Sequence, residues 1–192
     1  MGYAGSWIAV KCAREAALER LGLATGAELD PAFVPKGLAV GDLPDGWVLV
    51  LSNELEEAFT PQFSGLSELG PAVACAVEEH VMYQEARGFA GGRETWRVTH
   101  NSEDGIFHLD VSGDPPPELE AIRREAFESQ ESEGGEDADV DLVAEVPLGL
   151  ARTICGFKHD EDSWPESLTA LVRPGSESPK RVGFLQRLFG RG

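Results

Sequence analysis

Two hydrophobic periods alternate along this chain, and they mark out most of its elements. SWIAVK (residues 6–11) is short and apolar, with a bulky Trp7 and β-branched Ile8 and Val10, which predicts a buried first strand. CAREAALERLG follows, with Ala13, Ala17, Leu18 and Leu21 on one face at helical spacing and Gly22 placed to end a helix. Residues 24–45 are rich in Gly, Pro and Asp and read as a long connection with room for one short strand. DGWVLVLSN (45–53) is a turn and a second strand. ELEEAF and GLSELG suggest short helices interrupted at Thr60-Pro61, and PAVACAVEE alternates so little that it predicts a strand covered on both faces.

Residues 78–100, EEHVMYQEARGFAGGRETWRVTH, read as a β-hairpin. With Phe89 and Ala90 at the tip, Val81 faces Val98 and Tyr83 faces Trp96, so four large apolar side chains share one face. That register places His80 and His100 on opposite faces, where they cannot bind one metal ion. The glycine-rich tip lacks G-x-x-x-x-G-K-[ST] and opens no helix, so it is neither a P-loop nor a dinucleotide fingerprint. IFHLDVSG (106–113) completes a three-stranded meander, with Phe107, Leu109 and Val111 on one face. DPPPELEAIRREAFESQESEGG is a helix that Asp114 caps, with a stripe of Leu119, Ile122, Ala126 and Phe127. VDLVAEV (140–146) predicts a strand, PLGLARTICG a short helix, and SLTALV a short last element.

The fold class this predicts is α+β: a mostly antiparallel sheet with helices packed on it. Residues 1–173 form one domain, and 174–192 form a linker and a short basic amphipathic tail. At 192 residues the chain is long enough to bury a core without disulfides or metals.

Charge changes the picture most. Sixteen Lys and Arg against 34 Asp and Glu give −18, so the body repels phosphate backbones and nucleic-acid binding by it is disfavoured. The segment 179–192 runs the other way. Lys180, Arg181, Arg187 and Arg191 are not accompanied by any acid, so the rest of the chain carries −22 (−18 less the tail's +4). Val182, Leu185, Leu188 and Phe189 fall at helical spacing with Phe184 beside them. Phe184, Leu185, Arg187, Leu188 and Phe189 are therefore the candidate partner-binding residues of the tail. Three readings stay open: docking on the acidic body, capture by a partner protein, and contact with an anionic membrane.

Candidate chemistry is sparse. Cys12, Cys75 and Cys155 are far apart and form no CxxC, which fits a reducing compartment and a cytoplasmic location; no secretory signal and no apolar run of membrane-spanning length stands in the sequence. His80, His100, His108 and His159 form no HExxH or HxH. Asp137, Asp139 and Asp141 imitate the start of a calcium loop, but Leu142 and Leu148 stand where glycine and glutamate are required. FKHDEDSWPESL gathers His159, Asp160, Glu161 and Trp164 into a polar cluster, the one candidate for acid–base or binding chemistry in the body. No motif calls for a cofactor.

GSWIAV, ACAVEEHVM and CGFKHDED together resemble a group of uncharacterised bacterial proteins, in scattered blocks over about residues 5–162. The resemblance implies no activity and no site. The leading expectation is a non-enzymatic protein-binding module, immunity-like or adaptor, whose acidic surface takes a basic protein partner. The alternative is a small hydrolase or metal-dependent enzyme in which His100, His108 or His159 converges with Asp160 and Glu161.

Overall fold

The computed structural model describes residues 2–29 and 36–174. It shows the expected α+β architecture, a nine-stranded antiparallel sheet with helices on both faces. The strands are β1 (Ala4–Lys11), β2 (Ala24–Leu29), β3 (Ala39–Leu43), β4 (Trp47–Ser52), β5 (Ala72–Glu78), β6 (Tyr83–Ala90), β7 (Arg93–Asn101), β8 (Asp110–Gly113) and β9 (Leu168–Val172). Their order is β2-β9-β3-β4-β1-β5-β6-β7-β8, so the first strand lies in the middle. The helices are α1 (Arg14–Leu21), α2 (Pro61–Ser64), α3 (Glu118–Ser132) and α4 (Glu145–Cys155).

β1, β4 and β5 are apolar through their middles because both of their faces are covered. One core holds Trp7, Leu49, Leu51, Cys75, Val98 and the inner sides of α3 and α4. The other holds Ile8, Val10, Val48, Val50 and Ala74 beneath α1 and the short helical turns of residues 57–68, with Phe63 and Leu66. Each large side chain buried there contributes roughly 1.5–3 kcal/mol. α1 ends as its sequence predicts: Gly22 is left-handed at φ 65°, and the Gly22 and Leu23 N–H groups bond back to Glu19 O and Leu18 O.

Two cross-strand rows define the sheet's geometry. Ala170, Ala39, Leu51, Trp7, Cys75, Ala86, Val98 and Val111 are successive partners from β9 to β8. The next row, on the opposite face, runs through Ser52, Ser6, Ala76, Glu85, Thr99 and Asp110. Leu171 reaches it from β9 by bonding its N–H to Leu38 O.

Several expectations are corrected. The hairpin turn is Gly91-Gly92, at φ 57° and 76°, with Ala90 opposite Arg93. Such a two-residue left-handed turn matches the strand twist. Tyr83 therefore faces Asn101 rather than Trp96. That shift is odd, so Tyr83 and Trp96 lie on opposite faces. Val81 is not in a strand; it sits in the turn before Met82 and is 46% exposed. Trp96 packs instead over Gly88, its cross-strand partner.

The connection 24–45 contains two strands, β2 and β3. β2 is a half-exposed edge strand with little apolar signal, and Gly41 within β3 makes room for Pro165 rather than for a turn. Residues 140–144 are a turn and not a strand. The Gln130 side chain bonds Val140 O and Leu142 N, and Asp141 Oδ1 accepts the Ala144 N–H, so side chains satisfy the backbone that a ladder would have used. β8 is limited to Asp110–Gly113, because the His108 ring accepts the Asn101 N–H where a neighbouring strand would continue. Asp114 does not cap α3, which starts after Pro117; its N–H extends the sheet by bonding Thr95 O.

Candidate functional site

The face carrying Ile8 and Val50 changes character across β5. On β6 it presents Tyr83, Glu85, Arg87 and Phe89, and on β7 it presents Arg97, Thr99 and Asn101. The short helices of 57–68 cover only part of these strands, and a polar shelf is left beside an open cleft.

Glu85 is the centre of the shelf. Its side chain is 4% exposed. It accepts a short hydrogen bond from the Tyr83 hydroxyl, one from Arg87 Nε at 2.7 Å, and an ion pair from Arg97 Nε at 3.3 Å. Arg97 is also held by both oxygens of Glu94, at 3.1 and 2.9 Å. The Arg87 guanidinium lies 3.8 Å from the centre of the Phe59 ring, a cation–π contact that ties the 53–59 loop to the sheet. Burial first, and then the Glu85 carboxylate, push the Tyr83 hydroxyl far above its ordinary range, so it is a hydrogen-bond donor and not a base. The two arginine charges are spent on Glu85 and Glu94.

Between Phe59 and the 79–82 turn this shelf opens into a cleft of about 240 Å³. Leu55, Phe59, Ala76 and Val81 give it apolar walls, and Glu56, Glu78, Glu85 and Glu103 face into it. His80 Nδ1 lies 2.8 Å from Glu78 Oε1 at the edge. Among the described residues neither Glu56 nor Glu103 has a basic partner. The cleft is shaped for a side chain that is apolar along its stem and positive at its tip, or for alternating residues of those two kinds.

The polar cluster singled out in the sequence is a set of structural ties. His159 is buried and reaches Glu79 Oε1 at 2.9 Å, while Glu79 Oε2 accepts the Tyr3 N–H at 2.6 Å. Burial pushes the Glu79 carboxyl up, but the bonds from His159 and Tyr3 outweigh it and hold the group below its ordinary value. Trp164 Nε1 donates to His159 O, Asp160 pairs with Lys158, and Glu161 pairs with Arg152 at 2.7 Å. His100 is fully buried between His108 O at 2.8 Å and Asp141 Oδ2 at 2.9 Å, which joins β7 to the start of α4. His100 and His108 are thus neighbours, while His159 is bonded to Glu79 and does not join them. Among the described residues no three His, Cys, Asp or Glu side chains are placed to hold one metal ion. Phe184, Leu185, Arg187, Leu188 and Phe189 lie outside the described residues.

Sequence reading missed the cleft because its walls come from three separate segments. One signal was present: Tyr83, Glu85 and Arg87 alternate on a strand whose other face is Gln84, Ala86 and Gly88. That pattern marks a polar sheet face, and with the correct register it would have located the shelf.

No protein-family model matches the chain, and neither a curated protein nor a solved structure matches it. Among the described residues no helix is long and apolar enough to cross a membrane.

Proposed function

We propose that this protein is a cytosolic, non-enzymatic binding module whose cleft at the Phe59 side of β5–β7 takes a basic, apolar segment of a protein partner. The observation that carries this reading is the pairing of apolar walls with the carboxylates of Glu56 and Glu103, which have no basic partner among the described residues, beside arginines already neutralised by Glu85 and Glu94. A cation that pairs with Glu56 or Glu103 meets negative charge without displacing an existing ion pair, and the apolar walls lower the local dielectric and strengthen the attraction. The net charge of −18 adds long-range steering of a positive partner.

The test uses a fluorescent hexapeptide, Arg-Phe-Arg-Leu-Lys-Phe, titrated by anisotropy onto the protein carrying Leu185→Ser and Phe189→Ser, so that its own basic tail does not compete. Saturable binding that weakens steeply between low and physiological salt, and that Val81→Arg removes, is the expected result. Val81 is an exposed turn residue, so this substitution leaves the fold intact. No saturable binding at low salt, or binding indifferent to Val81→Arg, would reject the cleft as the site.

A further inference from the structure

We infer that the chain's own basic segment, residues 179–192, occupies this cleft and competes with the partner for it. The inference rests on the reading of the cleft given above and adds an occupant and a form of regulation.

The sheet's register supplies the geometry. β9 ends at Val172, one residue after Leu171, which joins the cross-strand row that continues through Ser52, Ser6, Ala76 and Glu85. Ala76 and Glu85 line the cleft. The chain therefore leaves β9 at the same end of the sheet as the cleft, and beside the row that floors it. From β9 to β6 is five strand spacings in the order β9-β3-β4-β1-β5-β6, or about 24 Å at ~4.8 Å each. Residues 173–181 span up to about 30 Å when extended. The linker thus reaches, with little length to spare for any more distant site.

Charge and shape agree with that path. Between β9 and the cleft the 53–59 loop carries Glu54, Glu56 and Glu57. The segment brings Lys180, Arg181, Arg187 and Arg191 without an acid, interleaved with Phe184, Leu185, Leu188 and Phe189. Those are the two kinds of side chain that the cleft's apolar walls and carboxylates accept. A groove between α3 and α4, lined by Ile122, Val146 and Gly149, is the competing surface, but its Glu145 and Glu161 are already paired with Lys158 and Arg152, so a basic segment there would have to displace existing ion pairs. It also lies on the other face of the sheet from the row that Leu171 joins.

Tethering sets the size of the effect. A tether of this length presents its segment at an effective concentration on the order of millimolar. For a segment that binds with a dissociation constant of about 100 μM, this weakens an external competitor roughly tenfold.

The experiment uses the full chain throughout, with a fluorescent peptide of residues 179–192 and the hexapeptide as separate probes. Leu185→Ser with Phe189→Ser disables the tethered segment, and Val81→Arg blocks the cleft. If the segment docks in the cleft, both probes bind the tail variant about tenfold more tightly than the unaltered chain. Adding Val81→Arg then abolishes both. If the hexapeptide binds the tail variant and the unaltered chain equally well, or the 179–192 peptide does not bind while the hexapeptide does, the inference is overturned and the binding-module reading stands. If neither probe binds the tail variant, the reading of the cleft fails and the inference falls with it.

Discussion

Gly88 is the position where one added methyl group should cost the most. A Cβ built there lies 2.7 Å from Cδ1 of Trp96 and closer still to Nε1 and Cε2, well inside the 3.0 Å that real Cβ atoms respect. Gly88 does not lie at positive φ, so Ala fits the backbone and by itself would stabilise by about 0.4–1 kcal/mol through the unfolded chain. The clash is with a rigid indole in a packed core and not with the end of a flexible side chain. Trp96 is 6% exposed and must leave its site to admit the methyl. Truncating a buried Trp costs about 3–5 kcal/mol, and partial relaxation lowers this, so Gly88→Ala should destabilise by about 2–4 kcal/mol. Urea unfolding of Gly88→Ala, Trp96→Ala and the double variant tests the cause as well as the size. If Trp96 is the whole reason, Gly88→Ala is neutral or slightly stabilising in the Trp96→Ala background, and the two changes couple by about 2–4 kcal/mol. A cost below about 1 kcal/mol, or the same cost in both backgrounds, would refute this account of the hairpin. The result bears on the cleft, because the Gly88–Trp96 pair fixes the register that sets Arg97 across from Arg87.

Two further outcomes are expected. Glu85→Ala removes the common acceptor of Tyr83, Arg87 and Arg97 and should cost about 2–3 kcal/mol in urea unfolding. This is less than for a fully buried pair, because Arg97 is 41% exposed and its released charge rehydrates; a cost under about 1 kcal/mol would show that the network is ornamental to stability. Thiol titration of the native protein with an aromatic disulfide should show one fast group, Cys12, which is half-buried, with Cys75 and Cys155 reacting only on unfolding. Burial pushes Cys155 up to about 11 and Cys75 higher than its ordinary range, so neither is a thiolate near neutral pH; two or more fast thiols would contradict both core placements.

Where one local signal sufficed, the sequence alone determined the element. The apolar runs at Trp7–Val10, 47–51 and 72–77 became central strands because a strand covered on both faces has no polar alternation to hide. α1 was legible from its 3.6-residue stripe and its closing Gly22, and most of α4 from Pro147 in its first turn and its closing Gly156, both glycines being left-handed. α+β class follows from those elements together. Tertiary structure decided the rest. The hairpin register turned on Gly91-Gly92 and on space for Trp96 over Gly88, a contact between strands that burial arithmetic within one strand cannot see. Residues 140–144 gave up a strand-like pattern because the side chain of Gln130, from α3, and that of Asp141, from the segment itself, satisfied their backbone. The cleft exists only where Phe59, Val81 and Glu103, far apart in the chain, meet over two cross-strand rows of the sheet, Ala76–Glu85 and Glu78–Tyr83–Asn101. Its charge was written in the composition, but which carboxylates face inward depends on register, and register is a property of paired strands.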